Sequence, residues 1–449
     1  MRYPSFIEKG NTIGFVAPSF GCAGEPYYSA FQNSLKKWNA LGFKTELGFN
    51  CYASDGVGIS SSPKKCAAEF MEYYKKIMCL ACLGLSLSCQ STKVNTVGDE
   101  ITVEYQDGIL KTSSFLKDYR IVLLKAPNND AIIKYIDRLL FAENRIFVVD
   151  QISNKILAFD GNGEFLASTA RMVGKGHNEY IRIVDAAIDE KGHKLYVHCD
   201  APYQIMVFDF NLKLEKIFPM EYYLNEMAMD GNYIYGLRHN SMDDSGYEII
   251  STAKDSLASS PNIVLSTPIS VRGRKAMGKS MVSNQGSIYA SIPFDNKICK
   301  LKDGKVTESY IIDFGGQGLP NRPIEKDMSP ETFDRLYSDT HWSMVNMSGS
   351  DSLMLFNTNR STQFILNQKN KKCHAYGEIY NDMLPFSNSY ITPSQGLENG
   401  MAYEIEPEIL LKYSKQAEQN HESIDPALLN VIRQTTPDEN TLIILWHLK

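Results

Sequence analysis

One stretch, residues 136–180, constrains the fold more than any other. It reads IDRLLFAENRIFVVDQISNKILAFDGNGEFLASTARMVGKGHNEY. An apolar run, 145–149, ends in Asp150, and a polar turn leads to Ile156, Leu157, Ala158 and Phe159. The turn Asp160-Gly161-Asn162-Gly163 follows, then 164–168 and a Gly-rich charged loop. Short β-rich runs joined by Asp/Asn/Gly turns are hairpin signals. Strands with turns about every ten residues, four to a unit, build one blade of a β-propeller.

The unit recurs. At 183–219 an apolar strand again ends in Asp (Asp200 against Asp150), and a second again ends in Phe-Asp (Phe208-Asp209 against Phe159-Asp160). Further units are read at 222–264, 280–314 and 342–379, and a sixth from 387–407 plus the terminal strand 441–449. A ring must close or leave sheet edges exposed, so 119–125 is expected as the outer strand of the sixth unit. Residues 408–416 and 426–433 carry helical apolar spacing and read as helices inserted before the last strand. The fold class expected is mainly β: a six-bladed β-propeller over 118–449, preceded by a truncated α/β (β-α-β) fragment.

Composition narrows the function. The net charge is -6 and no Lys/Arg block stands out, which argues against a nucleic-acid partner. Six of the nine cysteines precede residue 90 and three are scattered after it, a poor disulfide framework. Cys79-x-x-Cys82 has no second Cys or His pair to complete a metal site. No cofactor and no metal is expected.

Residues 1–74 read as strand (12–16), helix (29–41, with Gly42 as its stop) and strand (43–47), the start of a parallel α/β sheet. MRYPSFIEKGNTIGFVAPSFGC and the later KKWNALGFKTELGFNCYASDGVGISSSPKKCAAEFMEYY resemble the beginning of bacterial serine LD-carboxypeptidases, including microcin-immunity relatives. That resemblance implies trimming of peptidoglycan or peptide-like substrates. The family's nucleophilic serine and its Glu and His partners lie in motifs that do not follow Tyr74 here, so no catalytic residue is carried over.

Residues 75–91 form a junction. Lys75 and Lys76 precede a short apolar run and Cys89-Gln90-Ser91, which matches a secretory signal peptide and resembles a bacterial lipoprotein box with Cys89 as the lipidated residue. Seventy-four residues before such a signal suggest two unrelated genes joined near Tyr74/Lys75. Residues 92–117 are expected as a tether, with a short strand within 92–112. If the signal is used the protein sits in the cell envelope, periplasmic or outer-membrane, lipid-anchored through Cys89; if the chain starts at Met1 it is cytoplasmic.

From residue 75 onward the chain resembles six-bladed β-propeller lipoproteins of Gram-negative bacteria, related in shape to NHL-type propellers. ENRIFVVDQISNKILAFDGNGEFL, RMVGKGHNEY and TLIILWHLK carry the resemblance. It implies a cell-envelope location and no known reaction. Candidate ligand-binding residues lie on loops: Arg171, Lys175, His177, Glu179, Tyr180 and Arg182; Arg272, Arg274 and Lys275; and His341-Trp342 at the end of the long connection 315–341. Cations mixed with Tyr and Trp suit an anionic sugar or a peptide carboxylate. Against this, Glu179-Tyr180 reads equally as a clamp within its loop. His198-Cys199-Asp200 resembles a catalytic triad in letters only, because neighbours in a strand face opposite ways. The function expected is a non-enzymatic envelope module binding a glycan, peptide or protein. The alternatives are a peptidoglycan-directed LD-carboxypeptidase and a hydrolase or lyase working in the propeller channel.

Overall fold

The computed structural model describes residues 9–17, 21–55, 59–83, 98–239, 246–257, 260–267, 269, 271, 278–284, 286–319, 324, 328–350, 352–360, 362–384, 395–397 and 399–449, with backbone alone at 74–83, 284 and 395–396. The chain divides into two compact units, Met1–Asn95 and Thr96–Lys449.

The first unit pairs strand Thr12–Phe15 in parallel with Lys44–Leu47, joined by helix Tyr27–Ala40. This is the β-α-β order expected. The helix stops where Gly42 takes φ +92, a left-handed conformation that costs glycine little. Both strands alternate exposed and half-buried positions, so this small sheet buries little apolar surface. Helix Pro63–Leu83 supplies a polar tie: the buried Glu69 accepts from Ala17 N at 3.0 Å and Asn50 N at 2.7 Å. Gly48 must be glycine, since a Cβ there would lie 2.1 Å from Glu69 Oε1. The helix backbone continues through Lys75 to Leu83, while Cys89 and the lipobox-like residues lie outside the described residues. No described helix is long and apolar enough to cross a membrane.

The second unit is mainly β. Among its described residues twenty-four of the strands fall into six antiparallel sets of four, two of which are joined into one nine-stranded sheet by a further strand, and Leu110–Lys111 pairs with Ile379–Tyr380. Sheet I is Arg138–Ala142, Arg145–Asp150, Lys155–Asp160 and Phe165–Ser168. Sheet II is Ile183–Asp189, Lys194–Asp200, Tyr203–Asp209 and Leu214–Pro219. Sheet III is Glu226–Met229, Tyr233–His239, Tyr247–Ala253 and Asn262–Thr267. Sheet IV is Met281–Asn284, Ser287–Ala290, Lys297–Lys302 and Lys305–Asp313. Sheet V is Met344–Gly349, Leu353–Thr358, Gln363–Asn367 and Lys372–Tyr376. Sheet VI is Gln395–Leu397, Gly400–Ile405, Leu442–Leu448 and, outermost, Leu116–Leu123. Strand Leu116–Leu123 thus pairs with the C-terminal strand Leu442–Leu448. Helices Pro407–Gln419 and Pro426–Gln434 are inserted before that last strand.

Why the strands read as continuous apolar runs is visible in sheet I. Ile156 and Ala158 pack toward sheet II, while Leu157 and Phe159 pack toward sheet VI. Burial on both faces replaces the alternation of a half-exposed strand. Comparable cores join sheets II and III, III and IV, IV and V, and V and VI. The hairpin turns repeat as well. Asp160 Oδ1 accepts from Asn162 N at 2.8 Å and Glu164 N at 2.9 Å, and Asp209 Oδ1 accepts from Asn211 N and Lys213 N, both at 2.9 Å.

One segment does more than the tether and short strand expected. Residues 92–117, read as a tether, include strand Asp99–Gln106. Its first half pairs in parallel with Tyr310–Asp313 of sheet IV and its second half with Cys373–Tyr376 of sheet V. Only Ile101 and Val103 are apolar and buried in it, too short an alternation for its place to be recognised in the sequence. The backbone pairing holds it in place.

Candidate functional site

The first strands of the sheets lie side by side: that of sheet II beside those of I and III, then III beside IV, IV beside V, and V beside VI. Their starting ends meet at a buried charge network. The Arg138 guanidinium from sheet I donates to Asp185 Oδ2 in sheet II at 2.5 Å, to Met227 O in sheet III at 2.7 Å and to Met281 O in sheet IV at 3.1 Å. Lys279 Nζ approaches the other Asp185 oxygen at 3.4 Å. Burial pushes the Asp185 carboxyl up, but Arg138 and Lys279 outweigh it and hold the group below its usual range. Glu226 has only backbone donors in direct contact, Ser280 N at 2.9 Å and Met281 N at 2.6 Å, and burial raises its pKa. With every charge paired or hydrogen-bonded, this network pins sheets together. A cavity of about 430 Å³ runs from Arg138 and Lys279 past Leu140, Phe141, Met229 and Leu397.

The loop before sheet II largely satisfies itself. Tyr180 is fully buried, its hydroxyl 2.6 Å from Thr169 Oγ1, and burial raises its pKa. Glu179 Oε2 accepts from Gly176 N at 2.7 Å, and a Cβ on Gly174 would fall 2.0 Å from that same oxygen. Arg171 reaches Asp130 at 3.3 Å from an exposed position, and Lys175 and His177 are exposed. Arg182 donates through Nε to Asp200 Oδ2 at 2.7 Å and through Nη2 to the same oxygen. None of these side chains lines the cavities beside Arg138 and at sheet IV. Arg272, Arg274 and Lys275 lie outside the described residues.

His198 and Cys199 point to opposite sides of sheet II. Cys199 packs with Phe147 and Val197 on the sheet I side, where burial raises its thiol pKa. His198 lies against Tyr223, ring centroids 5.6 Å apart. Burial lowers the His198 pKa to about 4. The thiol and imidazole cannot form a nucleophile–base pair across the strand.

His341 and Trp342 occupy a different setting. A cavity of about 510 Å³ opens at sheet IV, bordered by Phe294, Asp295, Asn296, Asp313, Phe314, Gly315, Gly316, Gly318, Leu319 and His341. Sheet IV supplies Asp313 at the end of its last strand and the turn 291–296 between its second and third strands. His341 is 2% exposed, tied through Nδ1 to Thr358 Oγ1 at 2.8 Å, while Nε2 has no hydrogen-bond partner. Its ring lies 4.9 Å from Phe314 and 5.2 Å from Phe364, and stacks on Tyr105 of the inserted strand at 6.4 Å. Burial, with Arg360 adding, lowers its pKa to about 4, so the imidazole is neutral near pH 7. Trp342 stacks on Phe294 at 5.1 Å behind the cavity wall.

Asp313 Oδ1 accepts from Gly315 N at 2.8 Å, which folds the glycine turn over the cavity. Gly315 takes φ +59 there. Asn296 is locked to the sheet edge by its Nδ2 donating to Ile312 O at 3.3 Å. Burial raises the Asp295 carboxyl pKa, opposed by Lys297 and by the backbone N–H groups of Asn296 and Lys297. Asp295, Asn296 and Asp313 were not singled out in the sequence. The signal available was Pro293-Phe294-Asp295-Asn296 beside Asp313-Phe314-Gly315-Gly316, two turns that meet only once sheet IV pairs. Among the described residues, no three His, Cys, Asp or Glu groups are placed to hold a metal ion.

The chain is similar to a candidate exported protein of Bacteroides fragilis NCTC 9343, at 13% identity and a TM-score of 0.59, over 78% of this chain and 99% of that one. That likeness is one of fold alone. Weaker likenesses are to BamB of Moraxella catarrhalis (9% identity, TM-score 0.36, 64% of this chain and 72% of that one) and to the Swd1 β-propeller domain of Myceliophteria thermophila (11%, 0.32, 60% and 95%); likenesses this low define no architecture by themselves. No curated protein matches. A family model matches residues 99–447, so the chain belongs to the family described as Domain of unknown function (DUF4934).

Proposed function

We propose that the second unit is a closed six-bladed β-propeller acting as a non-enzymatic binding module of the cell envelope, and that its ligand sits in the cleft beside His341. Ring closure is supported by the shared cores between successive sheets, including sheets VI and I, and by Arg138, which touches three other sheets from sheet I. The single observation that carries the binding site is the 510 Å³ cleft itself. Polar side chains on paired strands face it, and a buried ring nitrogen beside it has no partner. An unpartnered buried polar group costs about 1–3 kcal/mol, a cost that a ligand hydrogen bond removes. Pockets of this size with a few fixed polar groups are the usual form of a ligand site. The envelope location rests on the signal-like run before Cys89 and on the exported description of the Bacteroides fragilis protein of similar fold.

The test is a thermal-shift screen of the full chain against defined muropeptides, oligosaccharides and short peptides, repeated with Asp313→Asn and His341→Gln. The expected result is at least one compound that raises Tm in the parent and not in either variant, and that is recovered unchanged after overnight incubation. Cleavage of that compound, abolished by the same variants, would replace the binding reading with an enzyme. Release of a terminal D-alanine with an unaffected cleft would instead favour the LD-carboxypeptidase alternative.

A further inference from the structure

The charge of the cleft sets what it can hold. Its described lining carries two carboxylates, Asp295 and Asp313, and no Lys or Arg. Asp313 is hydrogen-bonded through one oxygen to a backbone N–H, which leaves its charge in place. Among the described residues, Lys297 acts on Asp295 and Arg360 on His341 without lining the cavity. Lys297 is exposed, and Arg360 donates to Ser338 O at 3.4 Å and to Asp339 at 3.3 Å. His341 adds a third polar group, 2% exposed with Nε2 unpartnered, on the same cavity. Phe294 and Phe314 add aromatic rings.

A concave site with low-dielectric walls and charge of one sign focuses its field on a ligand of the opposite sign. An anionic sugar or peptide carboxylate, expected from the loop cations, would meet two carboxylates here. An ammonium group meets complementary charge, aromatic faces that attract cations, and a neutral imidazole that does not repel it.

We propose that the cleft binds the side-chain ammonium of a lysine-bearing peptide, held by Asp295 and Asp313. This rests on the cleft being the module's ligand site. Asp313 and Asp295 take the charge, the Phe314 ring lies alongside, and His341 Nε2 faces a polar group of the same peptide.

The experiment uses the full chain and two tripeptides, Ala-Lys-Ala with blocked ends and the same peptide carrying Nε-acetyl-lysine, titrated by calorimetry at low and moderate salt. The expected result is binding of the lysine peptide, weakened at least about tenfold by acetylation and again by Asp313→Asn or Asp295→Asn, since a charge-assisted hydrogen bond contributes roughly 1.5–3 kcal/mol. Rising salt weakens the parent and has less effect on either variant. Equal binding of both peptides, or preference for a neutral oligosaccharide, lost in His341→Gln, would overturn the ammonium assignment and keep the cleft as the site. Binding of the lysine peptide unchanged in all three variants would overturn the cleft itself.

Discussion

The loop 169–182 and the cleft at sheet IV are built from similar letters, glycines beside charged and aromatic residues, and they end in opposite states. In the loop the chain answers its own polar groups: Tyr180 finds Thr169, Glu179 finds the Gly176 amide and Arg182 finds Asp200. In the cleft the His341 Nε2 atom has no partner, and burial raises the Asp295 carboxyl pKa against Lys297 and two backbone N–H groups. A charged, glycine-rich segment is therefore weak guidance to a ligand. What distinguishes the two is the cavity: polar side chains line one at sheet IV, while the loop's Tyr180 and Glu179 are spent on Thr169 and Gly176, although Asp200 Oδ1 also stays unpartnered.

The comparison can be strained first at the centre, where satisfaction is complete. Arg138→Ala leaves Asp185 buried without its main cation, and breaking such a pair costs about 3–5 kcal/mol. Urea denaturation should show a larger stability loss for this change than for any single substitution in the loop or the cleft. A loss within about 0.5 kcal/mol, the range of surface changes, would mean that the network does not pin the sheets.

Acid comes next. His198 and His341 titrate near 4 when folded, against 6.5 ordinarily. Between those values the unfolded chain binds more protons, so stability falls as pH drops from about 6.5 toward 4 and levels off below. Each histidine contributes on the order of 3 kcal/mol to that fall. The Tm of the parent should decline through this window, and His341→Gln should show a shallower decline. An identical slope in both would place His341 in water rather than in the cleft wall.

Tyr180→Phe removes one buried hydroxyl and leaves Thr169 Oγ1 with the Ile156 N–H as its remaining partner at 2.9 Å, a loss of about 1–2 kcal/mol in denaturation. Lysine-peptide affinity should not change, because the loop is structural. At the small end, alanine at Arg171, Lys175 and His177 should each shift stability by under about 0.5 kcal/mol and leave affinity within twofold. A larger affinity loss there would return the site to the loop.

Much of this was legible in the sequence. The Phe-Asp turns at 159–160 and 208–209 announced repeating hairpins, and runs such as 145–149 announced strands buried on both faces. The pairing of Leu116–Leu123 with the last strand followed from the need to close a sheet edge. The charge network was not legible, since Asp185, Met227 and Met281 lie 47 to 143 positions after Arg138 and share no local pattern with it. A short strand within 92–112 was expected, but the place of Asp99–Gln106 between two sheets was hidden because backbone pairing, not side chains, fixes it. The cleft was half visible: the long connection ending in His341-Trp342 drew notice, but Asp295 and Asp313 looked like ordinary turn and strand-end residues until sheet IV brought them together.

The most direct test of the central claim is a hydrogen-exchange footprint of the full chain with and without the lysine tripeptide. The account predicts added protection at 294–296 and 313–319 and none at 171–182. Protection confined to 171–182, with 313–319 unchanged, would contradict it.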